Sequence, residues 1–330
     1  MPFSLSAISF DPPVMLAPMS GVTDAPFRRL ARRFGAPAIA SEMFAGSLLA
    51  LGRARQRRSL DFSAEHPLIV QLVGGDSAVL AEAARIAADA GAAAIDINMG
   101  CPAKKIAKTG GGAVLMRDED RAVRIVAAVA GAVDLPVTVK MRLGWDADSI
   151  NAPRLAAKAE AAGARLIAVH GRTREQMYSG AADWGAIRAV VEAVSVPVIA
   201  NGDVSDLATA RRAIAASGTA GVMVGRAACG RPWLPGHIAA GLTAGAMPPQ
   251  PTLAEREEIL LEQIDLMLAE YGAAAGLAAA RKHIAWAISG LAGAADCRAA
   301  LFAAETAAET RGLIAALYRA NAQDSGSLAA

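Results

Sequence analysis

Residues 92–102 read AAAIDINMGCP, an apolar run that ends in a turn bounded by Gly100 and Pro102. A short apolar run closed by turn residues predicts a buried β-strand. Cys101 lies in the turn, directly after this predicted strand. A cysteine in such a place is more often a small core residue than a reactive one, so its role depends on its surroundings.

Seven other runs of the same kind give the chain eight predicted strands. Amphipathic segments with helical spacing lie between them, as in residues 78–91 and 121–133. Continuous apolar strands are buried on both faces, and a repeated strand–helix alternation builds a parallel sheet. Eight repeats predict a closed (β/α)8 TIM barrel over residues 1–240. The predicted strands are Val14–Ala17, Ala38–Ala40, Leu68–Val70, Ala94–Ile97, Val137–Val139, Leu166–Val169, Val196–Ile199 and Gly221–Val224.

The alternation stops at residues 241–251, which read GLTAGAMPPQP and predict a linker. Thr252 and Glu255 then form a capping-box sequence. Helical spacing predicts Leu253–Tyr271, Leu277–Leu291 and Leu301–Arg319 as helices. Residues 252–330 are therefore expected to form a small helical domain.

Composition excludes several classes of protein. A hydrophobic content of 54% over 330 residues argues against disorder. We expect a cytoplasmic protein without membrane contact, because no apolar run is long enough for a span and residues 1–10 lack the basic start of a signal peptide. The three cysteines are widely separated, so we expect neither a disulfide nor a metal site.

Most of the residues that follow the predicted strands are polar or glycine, and few are apolar. In TIM barrels these positions meet at one face, where the active site lies. Any one of them alone would read as a loop residue bonded to backbone, but the whole set predicts a binding site. Its members are Pro18, Met19, Ser20, Glu42, Gln71, Asn98, Cys101, Lys140, Arg142, His170, Arg172, Asn201, Gly202, Asp203, Gly225 and Arg226.

The glycines after strands seven and eight predict a phosphate site, because barrels bind phosphate there through backbone N–H groups. Arg226 would supply the cation. Asp203 would repel a phosphate, so we expect it to bind backbone or to cap a helix. The three glycines at 110–112 predict a flexible loop beyond Cys101.

Net charge is only +2, but the basic residues are clustered. Arginines at 28–33 and at 53–58 fit a solvated helix face as well as they fit a polyanion site. Lys104 and Lys105 follow Cys101 at the mouth of the predicted site, where phosphate contacts would position a polyanion.

The motifs resemble one enzyme family. LAPMSGVTDAPFRRL, SEMF, VQLVGGD, IDINMGCPAKK, VTVKMRLGW, VHGRTREQ, VIANGD and VGRAACGRPW occur in the order and spacing of the tRNA-dihydrouridine synthases. The chain is most similar to the bacterial DusB subgroup. The resemblance runs from Leu16 to Trp233, and residues 280–286 are similar to a family segment in the tail.

The resemblance implies an FMN enzyme that uses NADPH to reduce the C5=C6 bond of D-loop uridines in tRNA, with position seventeen favoured. It implies a tRNA-binding role for the tail, and no protein partner is indicated. Cys101 matches the family's proton donor. The matching flavin contacts are Pro18, Met19, Ser20, Gln71, Lys140, His170, Asn201, Gly202, Asp203, Gly225 and Arg226.

The chemistry agrees with these roles. Hydride addition at uracil C6 puts negative charge on C5 and O4, so a proton must reach C5. A thiol with an ordinary pKa of about 8.5 stays protonated near neutrality and can deliver it. Lys140 would favour negative charge on the flavin, and Gln71 offers a donor and an acceptor to the ring edge. RNA or base contacts are expected at Asn98, Lys104, Lys105, Arg142, Arg172, Arg174, Arg281 and Lys282.

The sequence shows no GxGxxG fingerprint after the first strand, so NADPH is expected to reach the flavin through the mouth that tRNA uses. Two alternatives remain open. A flavin barrel that reduces a free pyrimidine would share the strand-end residues but would not need a basic mouth or a helical tail. An RNA-binding protein without turnover would not need the set of Cys101, Lys140 and His170.

Overall fold

The computed structural model describes residues 2–50, 62 and 65–327. Eight parallel strands close into a barrel with helices between them, which confirms the predicted TIM barrel. A short antiparallel hairpin of β1 (Phe3–Leu5) and β2 (Ile8–Phe10) precedes it and was not predicted. The barrel strands are β3 (Val14–Leu16), β4 (Ala38–Ala45), β5 (Ile69–Val73), β6 (Ala94–Met99), β7 (Val137–Arg142), β8 (Ala164–His170), β9 (Val198–Asn201) and β10 (Gly221–Val224).

Helices surround the barrel and form the tail. Those of the barrel part are α1 (Ala25–Arg33), α2 (Gly46–Ala50), α3 (Ser77–Asp89), α4 (Lys104–Ala107), α5 (Glu119–Ala130), α6 (Ala152–Ala161), α7 (Arg188–Ala193), α8 (Leu207–Ser217) and α9 (Leu234–Ala244). Those of the tail are α10 (Leu253–Tyr271), α11 (Ala273–Ala287), α12 (Ala294–Ala303) and α13 (Ala307–Ser327). Helix α9 extends into the segment predicted as a linker. No helix in the described part of the chain has the length and apolar character needed to span a bilayer.

Alternation along the strands decides what fills the barrel. At its N-terminal end, interior positions such as Met15, Ile69 and Leu166 form one buried cluster with Leu5 and Phe10 of the hairpin. Successive side chains of a strand point to opposite faces, so the interior positions further along are two residues apart. These later positions are polar, as at Gln71, Asp96, Asn98, Lys140, His170 and Asn201. The hairpin therefore covers the apolar end, and the other end carries polar groups.

The tail has four helices where three were predicted, and the second runs over Ala273–Ala287 and not over Leu277–Leu291. A single helix over Leu301–Arg319 is wrong, because α12 ends at Ala303 and α13 begins at Ala307. Thr306 separates them: its hydroxyl accepts from Glu309 N at 3.1 Å, and the Glu309 carboxylate accepts from Glu305 N at 3.1 Å. This is N-terminal capping by a Thr-x-x-Glu sequence.

The first arginine cluster is structural. Arg28 forms a buried ion pair with Glu65 at 2.6 Å, and Arg32 donates to backbone carbonyls. Arg29 and Arg33 pair with Glu270 and Glu262 of α10, which fastens the tail to the barrel. The second cluster, at 53–58, lies outside the described residues.

Candidate active site

A cavity of about 910 Å³ opens at the C-terminal ends of the barrel strands. This is within the usual size of ligand sites. The predicted residues that line it are Pro18, Met19, Ser20, Gln71, Asn98, Cys101, Lys140, Arg142, His170, Asn201, Gly202, Asp203, Gly225 and Arg226. The barrel therefore brings these residues from the predicted strand ends together at one cavity.

Asn98 holds the turn that carries Cys101. Its Oδ1 accepts from the backbone N–H of Gly100 at 3.1 Å and of Cys101 at 2.8 Å. Its Nδ2 donates to Gln71 Oε1 at 2.8 Å. With these contacts, Asn98 has a structural role beside the substrate contact predicted for it.

Gly111 and Gly112 are tightly packed against backbone, so the flexibility predicted for residues 110–112 is wrong for these two. A Cβ at Gly111 would lie 2.7 Å from the backbone carbon of Gly74, and one at Gly112 would lie 2.7 Å from the Cys101 carbonyl oxygen. Gly112 also has φ +64, which favours glycine. The Cys101 carbonyl accepts from Ala113 N at 3.0 Å. Small size, and not flexibility, explains these glycines.

Lys140 projects from β7 into the cavity. Within the described ranges, no group accepts a hydrogen bond from its ammonium. Burial lowers the pKa of Lys140 to about 8, with a further lowering by the Arg142 charge and an opposing effect of Asp96. A partly buried cation without an acceptor is suited to an anionic ligand.

Arg172, Asp203 and Arg226 form one charged group beside His170. Arg172 donates to Asp203 Oδ2 at 2.5 Å, and Arg226 reaches Asp203 Oδ1 at 3.2 Å. Asp203 also accepts from Ala182 N at 2.8 Å, so the expected backbone contact exists. Of the two roles expected for Asp203, the structure therefore shows backbone binding, and Asp206 caps α8.

The prediction of an RNA contact at Arg172 requires correction. Only 1% of its surface is exposed, and it lies outside the cavity lining. Its remaining donors are directed to the carbonyls of Ser179 and Gly180 and to His170. Arg172 therefore supports the wall of the site from within.

Arg142 is buried and donates hydrogen bonds to backbone carbonyls, but part of the residue lines the cavity. It donates to the carbonyls of Gly100, Thr173 and Met177 at 2.8–2.9 Å. Its guanidinium lies 5.7 Å from the ring centre of Tyr178, and that of Arg226 lies 4.6 Å from the same ring. Two cations thus lie near one aromatic ring, which attracts each of them, although the two charges repel each other.

The other predicted RNA contacts lie outside the cavity wall. Lys104 and Lys105 are exposed on α4, beyond the Cys101 turn. Arg174 stacks on Trp145 at 4.6 Å. Arg281 donates to the Ala304 carbonyl within the tail.

Lys282 lies between tail and barrel. A Cβ at Gly21 would be 2.8 Å from its Nζ, so the ammonium lies directly against this glycine. The contact places Lys282 at the loop after β3 and not on an open surface of the tail.

Several lining residues were missed. Tyr178, half exposed, comes from the loop after β8, and Trp286 comes from tail helix α11. Cys229, for which no role at the site was predicted, also lines the cavity. A tyrosine in the polar loop after a predicted strand is a sequence feature that could have identified Tyr178 as a candidate site residue. The placement of Trp286 depends on how the tail docks, which no local pattern reports.

Comparison with known proteins identifies the family. The sequence profile described as Dihydrouridine synthase (Dus) matches residues 15–324. The chain belongs to the dihydrouridine synthase family.

The matches to individual relatives cover most of this chain and most of each relative. The chain is 52% identical over 322 residues to a protein of Rhodobacter capsulatus named probable tRNA-dihydrouridine synthase, covering 96% of this chain and 98% of that protein. It is 45% identical to the tRNA-dihydrouridine synthase B of Xanthomonas campestris, with 89% of each chain covered. The expected family, including its likeness to the B subgroup, is therefore confirmed.

Among solved structures, a 2-naphthoyl-CoA reductase in complex with 2-naphthoyl-CoA superposes with a TM-score of 0.57 at 14% identity. The match covers 74% of this dihydrouridine synthase family member but only 52% of the reductase, so the chain spans about half of that protein. At this identity the likeness concerns the barrel fold alone.

Proposed function

We propose that the protein is a flavin-dependent tRNA-dihydrouridine synthase that acts in the cytoplasm. It would use NADPH through FMN to reduce the C5=C6 bond of D-loop uridines, with position seventeen favoured. The observation that carries the proposal is the meeting of Cys101, Asn98, Lys140 and His170 at one cavity in a chain of this family.

The residues of the cavity fit FMN. The Lys140 ammonium lacks an acceptor among the described residues, and the flavin ring edge would provide one. Gly202 has φ +110, and a Cβ there would lie 2.7 Å from Ala182 and 3.0 Å from His170, so only glycine leaves its backbone accessible. The residues that would hold FMN are Pro18, Met19, Ser20, Gln71, Lys140, His170, Asn201, Gly202, Gly225 and Arg226, with Asp203 holding Arg226 in place.

FMN, when bound, supplies the hydride for uracil C6. The chain's own contribution is a proton for C5, which Cys101 would donate from its thiol. Asn98 keeps the Cys101 turn at the cavity through two backbone contacts. Lys140 places a positive charge where negative charge develops during reduction, an electrostatic role of the kind that contributes strongly to catalysis.

The target base must leave its stack to enter the cavity, at a cost of roughly a few kcal/mol. Tyr178 offers an aromatic face at the mouth, and Arg226 lies over the same ring. Lys104 and Lys105 are exposed near the mouth of the cavity, where they would contact phosphates of the tRNA. The tail would hold the tRNA. Its residue Trp286 lines the cavity, so the tail reaches the wall of the site.

Substrate-dependent oxidation of NADPH tests the proposal against its alternatives. The protein reconstituted with FMN is mixed with NADPH under anaerobic conditions, with unmodified tRNA, free uracil or orotate. We expect consumption of NADPH to depend on unmodified tRNA and to stop when fully modified tRNA is supplied. Oxidation driven by a free pyrimidine would favour the first alternative. Failure to bind FMN would favour a binding protein without turnover.

A further inference from the structure

Asp96 is a buried carboxyl group that the proposed reaction does not use. It lies on β6 two residues before Asn98, and 3% of its surface is exposed. Thr138 Oγ1 donates to its Oδ1 at 2.5 Å, and Gln71 Nε2 donates to its Oδ2 at 2.6 Å. Because buried carboxyl groups are rare and costly, their position in a structure calls for a reason.

The backbone N–H groups of the Cys101 turn determine which group donates and which accepts in each hydrogen bond between this turn and Asp96. Backbone N–H groups only donate, so the Asn98 atom that faces Gly100 and Cys101 must be its oxygen. The Asn98 amide nitrogen then faces Gln71, which must present its own oxygen. The Gln71 nitrogen is left to face Asp96, and Asp96 must accept.

We propose that Asp96 is a positioning residue for the Cys101 thiol, acting through Gln71 and Asn98; this rests on the proposed role of Cys101 as proton donor. An acceptor at position 96 fixes the side-chain amide of Gln71. That amide fixes Asn98, and Asn98 holds the two N–H groups of the turn. Without the acceptor, Gln71 either buries an unpaired NH2 group or flips it against the NH2 group of Asn98.

Contacts on the other side of the turn do not perform this task. Ala113 N binds the Cys101 carbonyl, and Gly112 packs against it. These contacts fix the peptide after Cys101, whereas the N–H groups before the thiol rely on Asn98. Thr138 donates a hydrogen bond to the other carboxylate oxygen of Asp96, Oδ1. It takes no part in the hydrogen bonds that lead from Asp96 through Gln71 and Asn98 to the turn. Thr138 is therefore the matched control position.

The experiment measures amide hydrogen exchange by mass spectrometry on the peptide that covers residues 98–103. It requires neither cofactor nor tRNA. Asp96→Leu has a similar shape but no acceptor. Asp96→Asn keeps an oxygen for Gln71 and directs an NH2 group to the Thr138 hydroxyl. Thr138→Val leaves the carboxylate facing Gln71.

We expect exchange in this peptide to be about tenfold faster in Asp96→Leu, with Asp96→Asn and Thr138→Val within about threefold of wild type. Peptides from β9 and β10 report global loosening and should be unchanged. Wild-type exchange in Asp96→Leu would overturn the inference. Equal acceleration in Asp96→Leu and Thr138→Val would overturn it as well.

If Asp96→Leu does not fold, Asp96→Ala replaces it, because alanine also offers no acceptor to Gln71 and introduces no bulk. Exchange in the same peptide should then exceed that of Asp96→Asn and of Thr138→Val. Exchange in Asp96→Ala no faster than in those two variants would overturn the inference. The proposed function is tested separately, because dihydrouridine formation by Cys101→Ala bears on the proton donor and not on what holds its turn.

Discussion

The guanidinium of Arg172 contacts Nε2 of His170 at 3.2 Å. A guanidinium only donates hydrogen bonds, so Nε2 carries no proton and the neutral ring carries it on Nδ1. Burial lowers the pKa of His170 to about 2, helped by the charges of Lys140, Arg142 and Arg172. His170 therefore presents a fixed, neutral ring to the cavity.

We predict that His170 does not titrate between pH 5 and pH 8. Nitrogen NMR of labelled histidine should show one signal set with the proton on Nδ1 throughout that range. Arg172→Met removes both the cation and the donor, so the pKa of His170 should rise and the second tautomer should appear. A wild-type ring that becomes doubly protonated near pH 6 would contradict this assignment.

The affinity of the apoprotein for FMN should fall as pH rises through 8. The pKa of Lys140 is lowered to about 8, so its charge is present below that pH and is lost above it. Titration of FMN fluorescence at pH 7 and pH 9 should show roughly tenfold weaker binding at the higher pH. Lys140→Arg keeps its charge and should show a flat profile. A wild-type profile that is equally flat would remove Lys140 from the cofactor site.

Lys104 and Lys105 should contribute to tRNA affinity through phosphate contacts. Replacing both by alanine should weaken binding and reduce the slope of log affinity against log salt by about two, roughly one for each contact. Arg85→Ala/Arg124→Ala removes two exposed cations from the outer helices α3 and α5, and it is the matched control. Equal losses in the two double variants would mean that only net charge matters.

Stability should depend on pH through His283 of the tail. Burial lowers its pKa to about 3, whereas an unfolded histidine has a pKa of about 6.5. Below pH 6.5 the unfolded chain binds a proton that the folded chain excludes, so stability falls as pH drops. Between pH 7.5 and pH 5 this residue costs about 2 kcal/mol.

Asp24 acts in the opposite direction, because burial raises its pKa to about 6 and the folded state binds the proton first. The comparison with His283→Gln isolates the histidine, since Asp24 is present in both proteins. Denaturant unfolding should show a wild-type loss toward pH 5 about 2 kcal/mol larger than that of the variant. Parallel pH profiles of the two proteins would show that His283 is protonated in the folded tail.

The sequence was sufficient for the barrel and for most of the cavity wall. Apolar runs and their polar ends are local patterns, and a barrel brings strand ends together whatever the intervening helices. Gln71, Lys140 and His170 could be assigned on this basis. The Asp96 network was missed because Asp96 lies inside a run that reads as apolar, and its partners come from two other strands.

Charge clusters were harder to interpret. From the sequence alone, Arg28 and Arg32 could bind RNA. In the structure, Arg28 pairs with Glu65 and Arg32 donates to two backbone carbonyls, and all of these partners come from later in the chain. Side-chain partners of this kind depend on tertiary structure. The break at Thr306, by contrast, had a local signal in the sequence Thr-x-x-Glu.

The most direct test is position-resolved mass spectrometry of dihydrouridine in tRNA after incubation with the protein, FMN and NADPH, beside Cys101→Ala. We predict new dihydrouridine at position seventeen with the wild-type protein, and its loss in the variant while FMN is still bound. Undiminished product with Cys101→Ala would contradict the proton-donor role. No dihydrouridine in tRNA from an FMN-loaded, NADPH-oxidising protein would contradict the proposed substrate.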